Sequence, residues 1–238
     1  MPDGPGFRRR ILIEPRSGRV SAELEDDWHR MTVVLKHDDE TITAVDSVMT
    51  RRPWTTCPGA IDRLTETFVG VALAQAARRG EKTSNCTHLY DLALFAAAHA
   101  GDDRAVAYDI HVSDPVDGAR TATLTSEGTV RLAWTIAGDA MLAPLELEGA
   151  SFAAIGGWIA GLDPALREAA RILRWATILS FGRQMTIPAG ISGSRFATGA
   201  CFTFQPDRAA IARRNPDADS DFSHGPGPLA DRPTHFPA

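Results

Sequence analysis

The hydrophobic period of this chain switches three times, and that restricts its fold more than any other feature. Over residues 1–50 the runs RRRILI, GRVSAELED, HRMTVVLKH and ETITAVDSV are short and rich in β-branched residues, the signature of strands. Arg16-Ser17-Gly18 and His37-Asp38-Asp39-Glu40 supply turns between some of them. In the fourth run Ile42, Ala44 and Val48 fall on one face with Asp46. From Pro58 the spacing of Ile61, Leu64, Phe68, Val71 and Ala72 is helical. Pro58 suits a first helical position, which makes Cys57 the N-cap and places the helix end near Gly80. A second helix starts around Ser84 to Thr87, carries Leu89, Leu92, Ala93 and Ala96, and stops at Gly101. Strand patterning returns over 104–145 in AVAYDIHVS, ARTATLTS, TVRLAWTIA and MLAPLEL. Asp163-Pro164 then opens a helix through about Phe181.

This order of elements predicts an α+β fold. Two strand groups form an antiparallel sheet around a helix pair, and a C-terminal helix and an extended tail complete it. Residues 1–214 read as one domain, because no linker interrupts them, and 215–238 read as the tail. The competing organisation is an α+β domain of 1–145 with a separate helical piece. Trp134, Trp158 and Trp175 are expected in the core.

Composition excludes several classes. Thirty acidic against 25 basic residues give a net charge of −5, unsuited to a general nucleic-acid binder. No apolar run reaches the roughly 18–20 residues of a membrane span, and none near the start fits a secretory signal. The three cysteines are Cys57, Cys86 and Cys201. That odd and widely spaced set suits a cytoplasmic protein with reduced thiols. Residues 156–161 lack a G-x-G-x-x-G pattern, and Ile191-Ser192-Gly193-Ser194 lacks G-x-S-x-G. Neither a dinucleotide site nor a nucleophile elbow is therefore supported, and no cofactor is assigned.

The chemistry-bearing stretch is RRPWTTCPGA followed, after one helix, by TSNCTHLYDL. Helix N-termini there favour thiolate and anionic ligands. His88 and Asp91 are three apart on one helix face, the carboxylate–imidazole pairing of a general base. Cys86 is either an apolar-face residue or a thiolate partner, and Cys57 either a buried cap or a pocket wall. Arg51, Arg52 and Trp54 suit an anionic or aromatic ligand. Tyr108 suits a pocket wall, and Arg183 either a substrate contact or a helix-end charge. Cys57, Cys86 and His88 are zinc-ligand types, but C-x-H is not a standard spacing. Asp91, His99 or Cys201 would complete a set only through the fold, so no metal is assigned.

The opening RRRILIEP, the W-x-x-C-P-x-A element (Trp54, Cys57, Pro58, Ala60) and the N-C-T-H-L element (Cys86, Thr87, His88, Leu89) resemble a bacterial family, domain of unknown function 2889. Asn85 stands where the family usually has Gly, and Tyr90-Asp91 where it often has Asn-Asp. The resemblance spans roughly 7–145, and the remainder is similar to an extension of longer members. It implies a bacterial, intracellular protein associated with catabolism of aromatic or steroid compounds.

Two functions follow. One is a cofactor-free lyase, of retro-aldol or deformylation type, acting on a small aromatic intermediate. Its catalytic residues are His88, Asp91 and Cys86; Arg51, Arg52, Trp54, Cys57, Tyr108 and Arg183 bind the substrate. The other is a non-enzymatic ligand-binding or accessory protein of a catabolic pathway. Neither involves nucleic acid or membrane, and both leave the oligomeric state open, a homo-oligomer included.

Overall fold

The computed structural model describes residues 4–232. Among them eight strands form one antiparallel sheet: β1 (Gly6–Arg16), β2 (Arg19–Asp26), β3 (Arg30–His37), β4 (Ile42–Arg51), β5 (Val106–Ser113), β6 (Ala119–Ser126), β7 (Thr129–Ala137) and β8 (Ala140–Ala143). Their order is β4-β3-β2-β1-β5-β6-β7-β8. With helices between and after the strand groups, the fold is α+β as the period changes require.

The chain divides into two compact units. One comprises residues through Arg10, Tyr108–Thr186 and residues from Asp221; the other comprises Ile11–Ala107 and Ile187–Ser220. In the second unit α1 (Ala60–Phe68) and α2 (Thr87–Ala98) cover β2, β3 and β4. Alternation brings Val20, Ala22 and Leu24 of β2 and Met31, Val33 and Leu35 of β3 to one face, all at most 3% exposed. Leu64, Phe68, Leu89, Leu92 and Ala93 close the core from above with no exposure. Each such buried large side chain contributes on the order of 1.5–3 kcal/mol.

In the other unit α3 (Gly156–Gly161) leads into α4 (Pro164–Ser180), which packs on β6 and β7. Asp163 caps α4, its carboxylate accepting the Leu166 amide at 3.1 Å. Trp134 is buried on β7, and its indole N–H donates to Thr177 of α4 at 3.2 Å. Trp158 and Trp175, expected in the core, are only half-buried.

Three local expectations are corrected. The first helix does not run to Gly80. It ends at Phe68, because Val69 is extended and Gly70 sits at φ 82°, a conformation that ends a helix. The chain then runs beside β4, where the Gly70 amide donates to the Ile42 carbonyl and the Ile42 amide to Val71. Val71 and Ala72 thus belong to a sheet edge rather than a helix face. Cys57 is not a helix cap: it lies inside a short 3₁₀ turn, Cys57–Gly59, capped by Thr56. On β4 the buried face is Val45 and Met49, with Asp46 and Val48 exposed. An irregularity in the β3–β4 pairing next to Ile42 shifts the phase, so Ile42 is buried although Ala44 and Val48 are not on its face.

The segment from 215 is irregular but pinned. The Asn215 amide donates to Pro53 and the Ser220 amide to Asp27. Ser223 accepts the Gly6 amide at 3.1 Å. Residues 233–238 of the expected tail lie outside the described residues.

Candidate functional site

β2 ends in Glu25-Asp26, and the chain reverses through Asp27-Trp28-His29 into β3. Asp26 makes that reversal itself. Its Oδ1 accepts the amides of Trp28 and His29, both at 2.8 Å, an Asx turn. The Asp26 amide donates to the His29 carbonyl at 2.9 Å and closes the hairpin. Asp26 continues the alternation of Val20, Ala22 and Leu24, so its carboxylate emerges on the face that α2 crosses. His88, on the first turn of α2, is carried to the same place.

The result is a buried trio. His29 Nδ1 lies 3.0 Å from Asp26 Oδ1 and 3.3 Å from Oδ2. The His29 and His88 rings stack, with centroids 3.9 Å apart and planes inclined by 29°. Donor atoms of Asp26, His29 and His88 all lie within 4.8 Å of one another. Asp26 has no exposure, His29 6% and His88 7%. A carboxylate on Nδ1 fixes the imidazole tautomer and leaves Nε2 as the basic atom, the arrangement of a general base. Two imidazoles and a carboxylate are also ligand types for zinc and related ions.

Arg51 holds this hairpin. Its guanidinium donates to the carbonyls of Asp26 and His29, pairs with Glu25 at 3.2 Å, and reaches the Ser220 hydroxyl. The residue expected to grip substrate is thus turned onto the backbone that presents Asp26 and His29. Arg52 donates to the Met49 carbonyl at 3.1 Å.

Asp91, expected to pair with His88, receives the Lys82 ammonium at 2.7 Å; the carboxylate grouped with His88 is Asp26. Cys86 stands at the N-cap position of α2, where Cys57 and Cys201 both oppose its ionisation, as Cys201 does that of Cys57. Burial pushes all three thiols up and outweighs the helix N-terminus expected to lower them. That corrects the thiolate expectation for Cys86. Cys57 Sγ lies 3.5 Å from the Thr203 hydroxyl. The Phe202 amide donates to Asn85, so residues 202–203 touch the beginnings of both helical segments.

Trp54 is 6% exposed and meets Phe196 and Phe204 edge-on, with centroids 5.1 and 5.3 Å away. Tyr108 and Arg183 are built into the other unit. The Tyr108 hydroxyl donates to Glu168 at 2.8 Å. Arg183 forks onto Asp114 at 2.9 and 3.2 Å and reaches Asp221 and Ser223. Asp26 and His29 are not among the residues the sequence singles out, since the run HRMTVVLKH assigns His29 to a strand. The signal was there in E-D-D-W-H, a His three residues after an Asp capable of an Asx turn.

Fold and site define an α+β protein with a carboxylate and two imidazoles buried beside a hairpin. Residues 13–100 match the family described as Protein of unknown function (DUF2889). The chain therefore carries a DUF2889 region, containing Asp26, His29, Arg51 and His88, with further sequence C-terminal to it. No curated protein matches the chain. No described helix is long and apolar enough to cross a membrane.

Proposed function

We propose that the chain is a proton-transfer enzyme, a lyase that cleaves a carbon–carbon bond in a small hydroxylated aromatic compound. The imidazoles of His29 and His88 take up the hydroxyl proton. The O–H electron pair becomes part of a carbonyl, and a small aldehyde leaves. The bond pair stays on the ring-bearing carbon, which the imidazolium reprotonates, so the protein ends as it began.

The observation that carries this reading is the grip of Asp26 on His29 Nδ1 beneath the stacked His88 ring. An oriented base of this kind contributes about 10²–10⁴-fold to a rate. The aromatic substrate rests on the family resemblance, and the raised pKa of the Cys86 thiol favours a base over a thiolate nucleophile. Lignin-derived and steroid-derived aromatics form the test panel, with aldehyde release as readout. His88→Ala should lower turnover by about 100-fold or more. Wild-type turnover in that variant would refute the assignment.

A second reading has its own support. His29 and His88 are nearly closed off, which suits a protein that binds a ligand without turning it over. In that case panel compounds raise the melting temperature while no aldehyde appears.

A further inference from the structure

We infer that Asp26, His29 and His88 form a binding site for one divalent transition-metal ion of the zinc class. Among the described residues they are the one trio of His, Cys, Asp or Glu side chains with donor atoms this close, all within 4.8 Å. Asp26 Oδ1 accepts the Trp28 and His29 amides, which holds the carboxylate in a fixed orientation beside His29. Oδ2 lies 3.3 Å from His29 Nδ1. Two donors on a tetrahedral ion with bonds of about 2.0–2.1 Å stand roughly 3.3–3.4 Å apart, so this pair already has ligand spacing. The His88 donor lies within 4.8 Å of both, and closing on the ion requires its ring to turn out of the stack on His29. Ligation through Nδ1 moves the His29 proton from Nδ1 to Nε2, so the imidazole stays neutral but serves as a ligand in place of a base.

The surroundings are those of a built site. All three side chains are more than nine-tenths buried, and they project from a closed hairpin and the first turn of a helix rather than from loose loops. Arg51 holds the carbonyls of the two hairpin ligands and is itself tied to Glu25 and Ser220, the supporting shell that keeps ligands oriented. Three protein ligands leave a fourth position for water or a substrate oxygen. Cys57, Cys86 and Cys201 are not among its donors. The inference shares its imidazoles with the lyase reading but does not depend on that reaction.

The test uses the full chain without a polyhistidine tag, stripped with chelator and dialysed against zinc chloride. One zinc per chain by elemental analysis, with a raised melting temperature, is expected. His29→Ala and His88→Ala should each weaken zinc binding by at least about 100-fold, the upper end of what loss of a supporting contact costs. Cys86→Ser should bind as wild type. Should the His variants fold poorly, cobalt loading of the wild-type chain decides: nitrogen and oxygen donors give d–d bands without thiolate charge transfer. No stoichiometric uptake, a thiolate band, or full binding by the double His variant would overturn the site. Uptake of metal with unchanged lyase failure, or lyase activity without metal, separates this inference from the proposed reaction.

Discussion

Arg51 shows how one side chain can set the position of others. It binds two carbonyls, a carboxylate and a hydroxyl at once, and its planar fork cannot be reproduced by an ammonium. Arg51→Lys should cost about 2 kcal/mol in urea unfolding, the range for a charge-assisted hydrogen bond lost from a largely buried site. The thiols give a second prediction. Native protein should react slowly with alkylating reagents, and half-buried Cys201 should be modified before Cys57 and Cys86. His111 gives a third. Burial lowers its pKa, the nearby Arg8 and Arg183 push the same way, and the Gly4 carbonyl and Asp114 oppose them. A lowered imidazole pKa means that the unfolded chain binds the extra proton first. The stability is whole above the unfolded value of about 6.5 and declines as pH falls through it toward the lower folded value. Urea midpoints should therefore drop between about pH 7 and pH 5.5, and His111→Gln should flatten that slope.

At the scale of elements, α4 is the most self-contained piece, because its start is written in Asp163-Pro164. Asp163→Ala removes the acceptor for the Leu166 amide and should lower stability by about 1 kcal/mol, read as a shifted denaturant midpoint without a change in slope. Such local chemistry made most elements legible: strand runs bounded by turn residues, a proline after a cap, a glycine after a helix. What stayed hidden depended on partners distant in sequence. The early end of α1 follows from Gly70 meeting the Ile42 backbone, and nothing in the spacing of Val71 and Ala72 reveals that strand. The face of β4 follows from an irregular pairing with β3. His88 stands out in the sequence as a candidate base through Asp91 three residues on, although the structure gives Asp91 the Lys82 ammonium. The companions of His88 do not stand out, since Asp26 reaches it through sheet alternation and His29 through a turn that Asp26 itself builds.

For the whole molecule, the matched DUF2889 stretch of 13–100 is not a self-sufficient body in this chain. Its unit also includes Ile187–Ser220. That later segment supplies Thr203 to Cys57, Phe196 and Phe204 to Trp54, and Ser220 to Arg51. A fragment of residues 11–107 should thus lack fixed tertiary structure, seen as lost near-ultraviolet dichroism and freely alkylated Cys57 and Cys86, while adding a 187–220 peptide in trans should restore protection in part. The left-handed break at Gly70 carries one more consequence. By folding the chain back along the rim at Ile42, it occupies backbone groups that a strand from another molecule would otherwise recruit. Restoring a helix there, by forcing residues 69–72 to continue α1, would bare that corner and invite filament-like growth in concentrated stocks.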